Sequence, residues 1–380
     1  MSKTKPPFRA DMVGSLLRPE TLKDARTKHE KGEIAAAELK AVEDREIQAL
    51  IKKQEDVGLQ AVTDGEFRRA WWHFDFLENL TGVEAFMAEQ GIAFKGVQTK
   101  PKSVRVVGKL GFPAAHPHLE HFKFLKAHTS HVAKMTIPSP SMLHYRGGRK
   151  LIDGTVYPDL DAYYEDLGRA YAAAVTAFYE AGCRYLQFDD TSLAYFCDPE
   201  QRNMLTARGE DPDVLIRRYR DMINTAARRR PQDMTIAIHT CRGNFRSMFI
   251  ASGGYEPVAN LVFNEIDVDG YFMEWDDERS GGFEPLRLLP KGKHVVLGLV
   301  TTKAGRLESK DAIERRIAEA AKYAPLEQLC LSPQCGFAST EEGNTLTEQE
   351  QWAKLRLIVE IAAEVWGSGG SDREAAGRKP

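Results

Sequence analysis

Short apolar runs rich in β-branched residues recur along the chain. Each is followed by a few polar residues and then by a stretch whose apolar positions repeat at three and four. Eight such runs occur, at residues 9–15, 59–66, 133–140, 185–190, 235–241, 271–275, 294–300 and 329–335. Helical spacing is clearest over 37–57, 160–181, 212–229, 310–322 and 347–365. Eight repeated βα units predict an α/β fold, a TIM (β/α)8 barrel. The connection between the second and third strands is far longer than the rest, and its segment 102–111 alternates like a hairpin arm. It is expected to be an insertion over the barrel mouth. The expected organisation is a flexible start (1–8), a single catalytic barrel (9–366) and a disordered tail (367–380) rich in Gly, Ser and charge.

In such barrels the chemistry gathers where strands end, because that rim brings residues distant in sequence to one point. The predicted ends read Gly14-Ser15, Asp64-Gly65-Glu66, Ser139, Asp189-Asp190, His239-Thr240-Cys241, Glu274, Thr301-Thr302 and Cys335. Acids, thiols and an imidazole at the ends of buried apolar strands are hard to account for by stability alone.

Composition narrows the partners. Hydrophobic residues at 42%, charged residues at 28% and a formal charge of -3 describe a globular enzyme with no global field for nucleic acid or anionic lipid. Neither a signal-type leader nor an apolar run of membrane-spanning length is expected, which points to the cytoplasm. Five cysteines (183, 197, 241, 330 and 335) are too few for a disulfide framework, so reduced thiols or metal ligands are the expectation.

His239 and Cys241 lie two apart on a predicted strand, so both side chains leave the same face and can grip one ion. Alone, the pair reads first as a packed imidazole beside a buried thiol. Glu274 and Cys335, at the ends of later strands, complete a donor set of two thiolates, one imidazole and one carboxylate, which suits tetrahedral zinc. Glu265, Asp276 and Asp277 compete with Glu274, and strand register favours Glu274. Cys183, Cys197 and Cys330 read as core thiols. A carboxylate beside two thiolates is a donor that an entering thiol can displace, so the set argues for thiol chemistry rather than hydrolysis. The histidines at 116, 118, 121, 128 and 131 suggest a second metal site, but their irregular spacing favours a solvated loop and helix.

Six blocks carry a resemblance, in order: Val13-Gly14-Ser15 with Arg18-Pro19, Asp64-Gly65-Glu66-Phe67, Gln187-Phe188-Asp189, His239-x-Cys241, Phe272-Met273-Glu274 and Pro333-Gln334-Cys335-Gly336. With them the chain resembles the C-terminal catalytic barrel of the cobalamin-independent methionine synthases. The resemblance implies Zn2+ held by His239, Cys241, Glu274 and Cys335, and a homocysteine pocket in which Glu66 and Asp189 bind the ammonium while the Ser15 backbone donates to the carboxylate. The plain alternative for the two acids is ion pairing with Arg68 or Arg184.

Two departures stand out. The family's long form carries a second, N-terminal barrel that is absent from this sequence. Where it also has an Asp-x-His-Ser segment, whose His is thought to protonate the folate nitrogen, this chain reads Leu299-Val300-Thr301-Thr302. His144, just past the third strand, is the candidate replacement acid, and Tyr145 could stack on a flat donor. The expected activity is zinc-dependent methyl transfer to homocysteine, forming methionine, from 5-methyltetrahydrofolate or a methylated corrinoid protein. The alternatives are an alkyl transferase acting on another thiol, of the epoxide:coenzyme M type with Arg68 or Arg242 binding a sulfonate, and a non-catalytic zinc- or thiol-binding partner protein. A metal-free decarboxylase of the porphyrin-processing type fits the cysteines poorly.

Overall fold

A computed structural model describes residues 4–367. Seven parallel strands form one curled sheet in chain order: β1 (Ala61–Val62), β2 (Val132–Pro138), β3 (Tyr185–Asp190), β4 (Thr235–Thr240), β5 (Gly270–Glu274), β6 (His294–Val300) and β7 (Leu329–Pro333). The eighth member is an extended segment rather than a regular strand. Residues 9–16 bridge β7 at Ala10 and Leu331, with Asp11 N–H donating to Leu331 O (3.0 Å) and Leu331 N–H to Arg9 O (2.9 Å). On the other side Leu16 N–H donates to Gly65 O (3.1 Å) and Thr63 Oγ1 to Gly14 O (2.6 Å). The ring therefore closes as a (β/α)8 barrel.

Two of the eight expected strands are much shorter than their apolar runs, and side chains explain both. Asp11 takes the Phe8 and Met12 N–H groups (3.0 and 2.8 Å). Gln54 takes Thr63 N–H (2.9 Å), and Asp64 takes Glu66 N–H (2.9 Å). Donors satisfied by side chains are lost to a ladder.

The long helices around the sheet are α1 (Glu20–Glu30), α2 (Ala36–Asp56), α3 (Pro117–Ala127), α4 (Leu160–Glu180), α5 (Pro212–Ala227), α6 (Lys310–Ala320) and α7 (Glu348–Trp366). Their starts are set chemically. Asp159, Asp211 and Ser309 accept from first-turn N–H groups, and Thr347 with Glu350 forms a capping box.

Alternation along the strands sorts the core into two clusters. Leu186, Phe188, Ile236, Ile238, Tyr271 and Met273 pack beneath the helices. Tyr185, Ala237, Phe272, Val296 and Cys330 meet Phe8 and Val13 inside the barrel. Below this layer Lys134 Nζ pairs with Asp11 Oδ1 (3.2 Å) and sits 4.0 Å from the Phe272 ring, while Tyr185 Oη donates to Asp11 Oδ2 (2.8 Å). Phe8, at the end of the expected start, is packed here and 2% exposed. Of the expected tail, only residue 367 falls within the described residues.

The insertion lies between β1 and β2. Antiparallel strands Thr81–Met87 and Lys102–Gly111 carry a small hairpin, Ala93–Phe94 with Val97–Gln98, at their tip. Ile92, Phe94 and Thr99 reach the cavity at the barrel mouth.

Candidate active site

The two-residue period that buries Tyr185, Ala237 and Phe272 carries on up each strand. It turns Gln187 and then Asp189 inward on β3, His239 on β4 and Glu274 on β5. Cys241 follows β4, and Cys335 follows β7. The ligand atoms of His239, Cys241 and Cys335 lie within 4.8 Å of one another, and the two sulfurs are 3.4 Å apart. His239 Nδ1 lies 3.3 Å from Phe272 O, while its buried Nε2 has no hydrogen-bond partner. An orphaned imidazole nitrogen beside two buried thiols is an unfavourable arrangement unless an ion occupies it. The residues therefore fit a thiophilic metal such as zinc.

Glu274 stands beside the trio rather than inside it. Its Oε1 is 3.7 Å from Cys241 Sγ and accepts from Gln334 Nε2 (3.3 Å), and its Oε2 accepts from Arg242 N–H (3.0 Å). Tyr255 Oη takes the Glu274 N–H (2.9 Å) and is itself bound by Arg242 Nη1 (2.6 Å). The three competing acids are occupied elsewhere: Glu265 by Arg220, and Asp276 and Asp277 by Arg279.

Burial and mutual charge shape the titration of this group. The hydrogen bond from Cys241 lowers the Cys335 thiol against the cost of burial, with His239 helping, and Cys241 is raised in return. Burial opposes charge on His239, but Cys335, Asp189 and Glu274 outweigh it and raise its pKa. Burial also raises Glu274, against the pull of Lys303.

Ser15, Glu66 and Asp189 line the same cavity. Glu66 Oε1 accepts from Thr136 Oγ1 (2.8 Å) and pairs with Arg69 (3.3 Å), while Oε2 is buried without a partner. Its backbone is held at φ 60°, a conformation costly for a residue with a side chain. Asp189 Oδ1 accepts from Gln187 Nε2 (2.6 Å), and Gln187 Oε1 is unpartnered. Burial raises Asp189 to about 7, with His239 pulling it down and Glu66 pushing it up. Gly336 leaves space at Ser15, since a Cβ there would meet Ser15 Oγ at 2.0 Å and Ser15 N at 3.3 Å. Arg68 and Arg184 are not the partners of these acids. Arg68 binds Glu43 and Asp44, and Arg184 binds Asp233.

His144 is not in the cavity, which corrects the expectation of an acid at the rim. Its ring is fully buried, with Nδ1 2.8 Å from Tyr219 Oη and Nε2 3.1 Å from Tyr164 Oη and 3.4 Å from Glu210. Burial, aided by Arg208, lowers it to about 3, so it stays neutral. Tyr145 is likewise buried, its hydroxyl 3.3 Å from Gln201. Of the histidines before β2, His128 and His131 are exposed, as a solvated loop and helix would have them, whereas two others are not. His116 and His118 are each 1% exposed, and among the described residues only His239, Cys241 and Cys335 converge as a metal-binding group.

Thr302, the last residue of the Leu299-Val300-Thr301-Thr302 segment, is a strut. Its N–H and hydroxyl both donate to Gln334 Oε1 (2.6 and 2.8 Å), whose amide reaches Glu274. Sequence reasoning gave no role to Thr136, Gln334 or Trp71-Trp72-His73. The tripeptide was visible as three bulky residues just past a strand end carrying Glu66, but aromatic runs ordinarily read as core.

The family described as the cobalamin-independent synthase catalytic domain matches residues 8–364. The uncharacterized protein YxjG of Bacillus subtilis is 52% identical over 368 residues, covering 96% of this chain and 97% of that one. A methionine synthase of Saccharolobus solfataricus is 23% identical, with 92% of each chain covered. The crystal structure of a putative vitamin-B12-independent methionine synthase from Listeria monocytogenes superposes with a TM-score of 0.78 at 43% identity, covering 96% of this chain and all of that one. With the fold, the barrel mouth and this match over nearly its whole length in agreement, the chain belongs to the cobalamin-independent methionine synthase family.

Proposed function

We propose that the protein is a zinc-dependent S-methyltransferase that converts homocysteine to methionine. The reading rests above all on the convergence of His239 Nε2 with the sulfurs of Cys241 and Cys335. Zinc bound there, with Glu274 as a displaceable oxygen donor, would supply the positive charge that keeps a substrate thiol ionised at neutral pH.

The chain's own groups would do the positioning. Glu66 Oε2 and Gln187 Oε1 are unpartnered acceptors, and together with the Asp189 carboxylate, whose Oδ1 accepts from Gln187 Nε2, they would receive an ammonium. The Ser15 backbone would hold the substrate carboxylate, with room left by Gly336. Gln334 and Arg242 N–H each grip one Glu274 oxygen and would receive that carboxylate when a thiol displaces it. A sulfonate-bearing thiol is poorly served, because Arg68 is paired with two acids and Arg242 is bound to Tyr255, Gly253 O and Glu274. The donor is a methylfolate or a methylated corrinoid protein.

Zinc content and zinc-edge X-ray absorption, with and without homocysteine, test the thiol half directly. The expected result is one zinc per chain, and an oxygen donor replaced by sulfur on adding homocysteine. Cys335→Ser should weaken zinc retention at least tenfold. Protein that takes up no zinc, or an edge indifferent to homocysteine, would sink the proposal.

A further inference from the structure

One cation beside the metal-binding group has no ion-pair partner. Lys303 follows β6 and is half-buried. Its Nζ donates to Gly243 O and to Asn244 Oδ1, both at 3.2 Å, and among the described residues no carboxylate pairs with it. Asn244, 4% exposed, holds it from the loop after β4 and uses every position of its own amide. Its Nδ2 donates to Thr302 Oγ1 (3.1 Å) and Gly336 O (2.8 Å), while its Oδ1 accepts from Lys303 and from Asn344 Nδ2 (3.0 Å). The loops that carry Cys241, Lys303 and Cys335 therefore meet at one side chain.

A half-buried ammonium held only by neutral acceptors costs free energy unless negative charge lies near it. The metal-binding group supplies that charge. Burial pushes the Glu274 carboxyl up, and the strongest pull against it comes from Lys303. The same ammonium pulls down Cys241, which its bond to Cys335 raises, and Cys335, which that bond lowers first. Arg279 also pulls on Glu274, but Asp276 and Asp277 already pair with it.

Counting charges shows what an unpaired cation does there. Cys241, Cys335 and Glu274 bring three negative charges against the two positive ones of a zinc ion, and a substrate thiolate adds a fourth. A fixed positive charge gives no help to an entering metal ion, but it favours an entering anion. We infer that Lys303, held in place by Asn244, is a positioning residue whose charge favours uptake of the substrate thiolate rather than of the metal. The inference rests on the methyl-transfer reading and adds a residue to its thiol half.

The test compares full-length wild type with Lys303→Met, Lys303→Gln and Lys303→Arg. Zinc affinity is measured by competition with a chromophoric chelator, and homocysteine affinity by calorimetry on zinc-loaded protein. Lys303→Gln keeps an N–H donor for Asn244 without the charge, so it separates charge from hydrogen bonding and guards against misfolding. Lys303→Met and Lys303→Gln should bind homocysteine about tenfold more weakly and lose less than about threefold in zinc affinity, while Lys303→Arg should match wild type in both. Homocysteine binding by Lys303→Gln within about twofold of wild type, failure of Lys303→Arg to restore it, or a loss of zinc as large as the loss of homocysteine would overturn the inference. A wild-type protein that takes up no zinc, or a zinc edge that ignores homocysteine, would instead remove the methyl-transfer reading beneath it.

Discussion

At the scale of single residues, burial decides what Asp189 can do. An ammonium ligand needs its carboxyl ionised, and that carboxyl is held up at about 7, chiefly by burial. Homocysteine affinity should therefore fall as the pH drops, by up to tenfold per unit, in calorimetric titrations of zinc-loaded protein. A flat profile from pH 8 to 5.5 would remove Asp189 from the ammonium site. Stability follows the opposite course. A carboxyl raised from 3.8 holds in the folded state a proton that the unfolded chain releases, so stability declines as pH rises from about 4 to 7, and the penalty is complete above that. Asp189→Asn should stabilise the metal-free protein at pH 8 by roughly 1–3 kcal/mol, leave it unchanged near pH 4, and abolish homocysteine binding.

The same scale shows why one histidine was misread and another passed over. His144 follows a strand, as rim residues do, but its partners Tyr164 and Tyr219 come from α4 and α5, remote in sequence. His73 is embedded in an aromatic run, and nothing in that run says that its nitrogens stay unpaired.

Among elements, the strands from β2 to β7 were legible to within one or two residues, because their alternation is uninterrupted. The convergence of His239, Cys241 and Cys335 at their ends was legible for the same reason. Period two puts Asp189, His239 and Glu274 on the inner face, with no need of tertiary information. The first two apolar runs were over-read, because the competitors for their N–H groups, Asp11 and Gln54, are polar side chains whose aim only the fold reveals.

What fastens those early segments to the rest is Arg18. Its buried guanidinium donates to Ala338 O, Thr340 O, Glu66 O and Arg69 O at 2.7 to 3.2 Å, joining the loops after β1 and β7. Arg18→Met would leave these carbonyls without their shared donor, and should cost about 3–5 kcal/mol in denaturant unfolding. A loss below about 1 kcal/mol would mean that water replaces the clamp.

For the whole molecule, the proposed metal would link loops following β4 and β7, which are far apart in sequence and adjacent at the mouth. Zinc bound only by the folded state adds to its stability by mass action. Chelation should lower the melting temperature of wild type by several degrees and leave Cys335→Ser unmoved, as scanning calorimetry would show.

The sparse seam at residues 9–16 has a consequence for how the molecule is made. Ala10 finds its partner, Leu331, 321 residues later. At ribosomal speeds of about 5–20 residues per second, that is a wait of roughly 16–64 s. For that time the segment that will close the ring has only the chain around β1 beside it, and its β7 side stays unpaired. Its ladder-poor, side-chain-satisfied backbone suits such a wait, since Asp11 can occupy the Phe8 and Met12 donors locally before β7 exists. The last strand synthesised is then the one that seals the barrel.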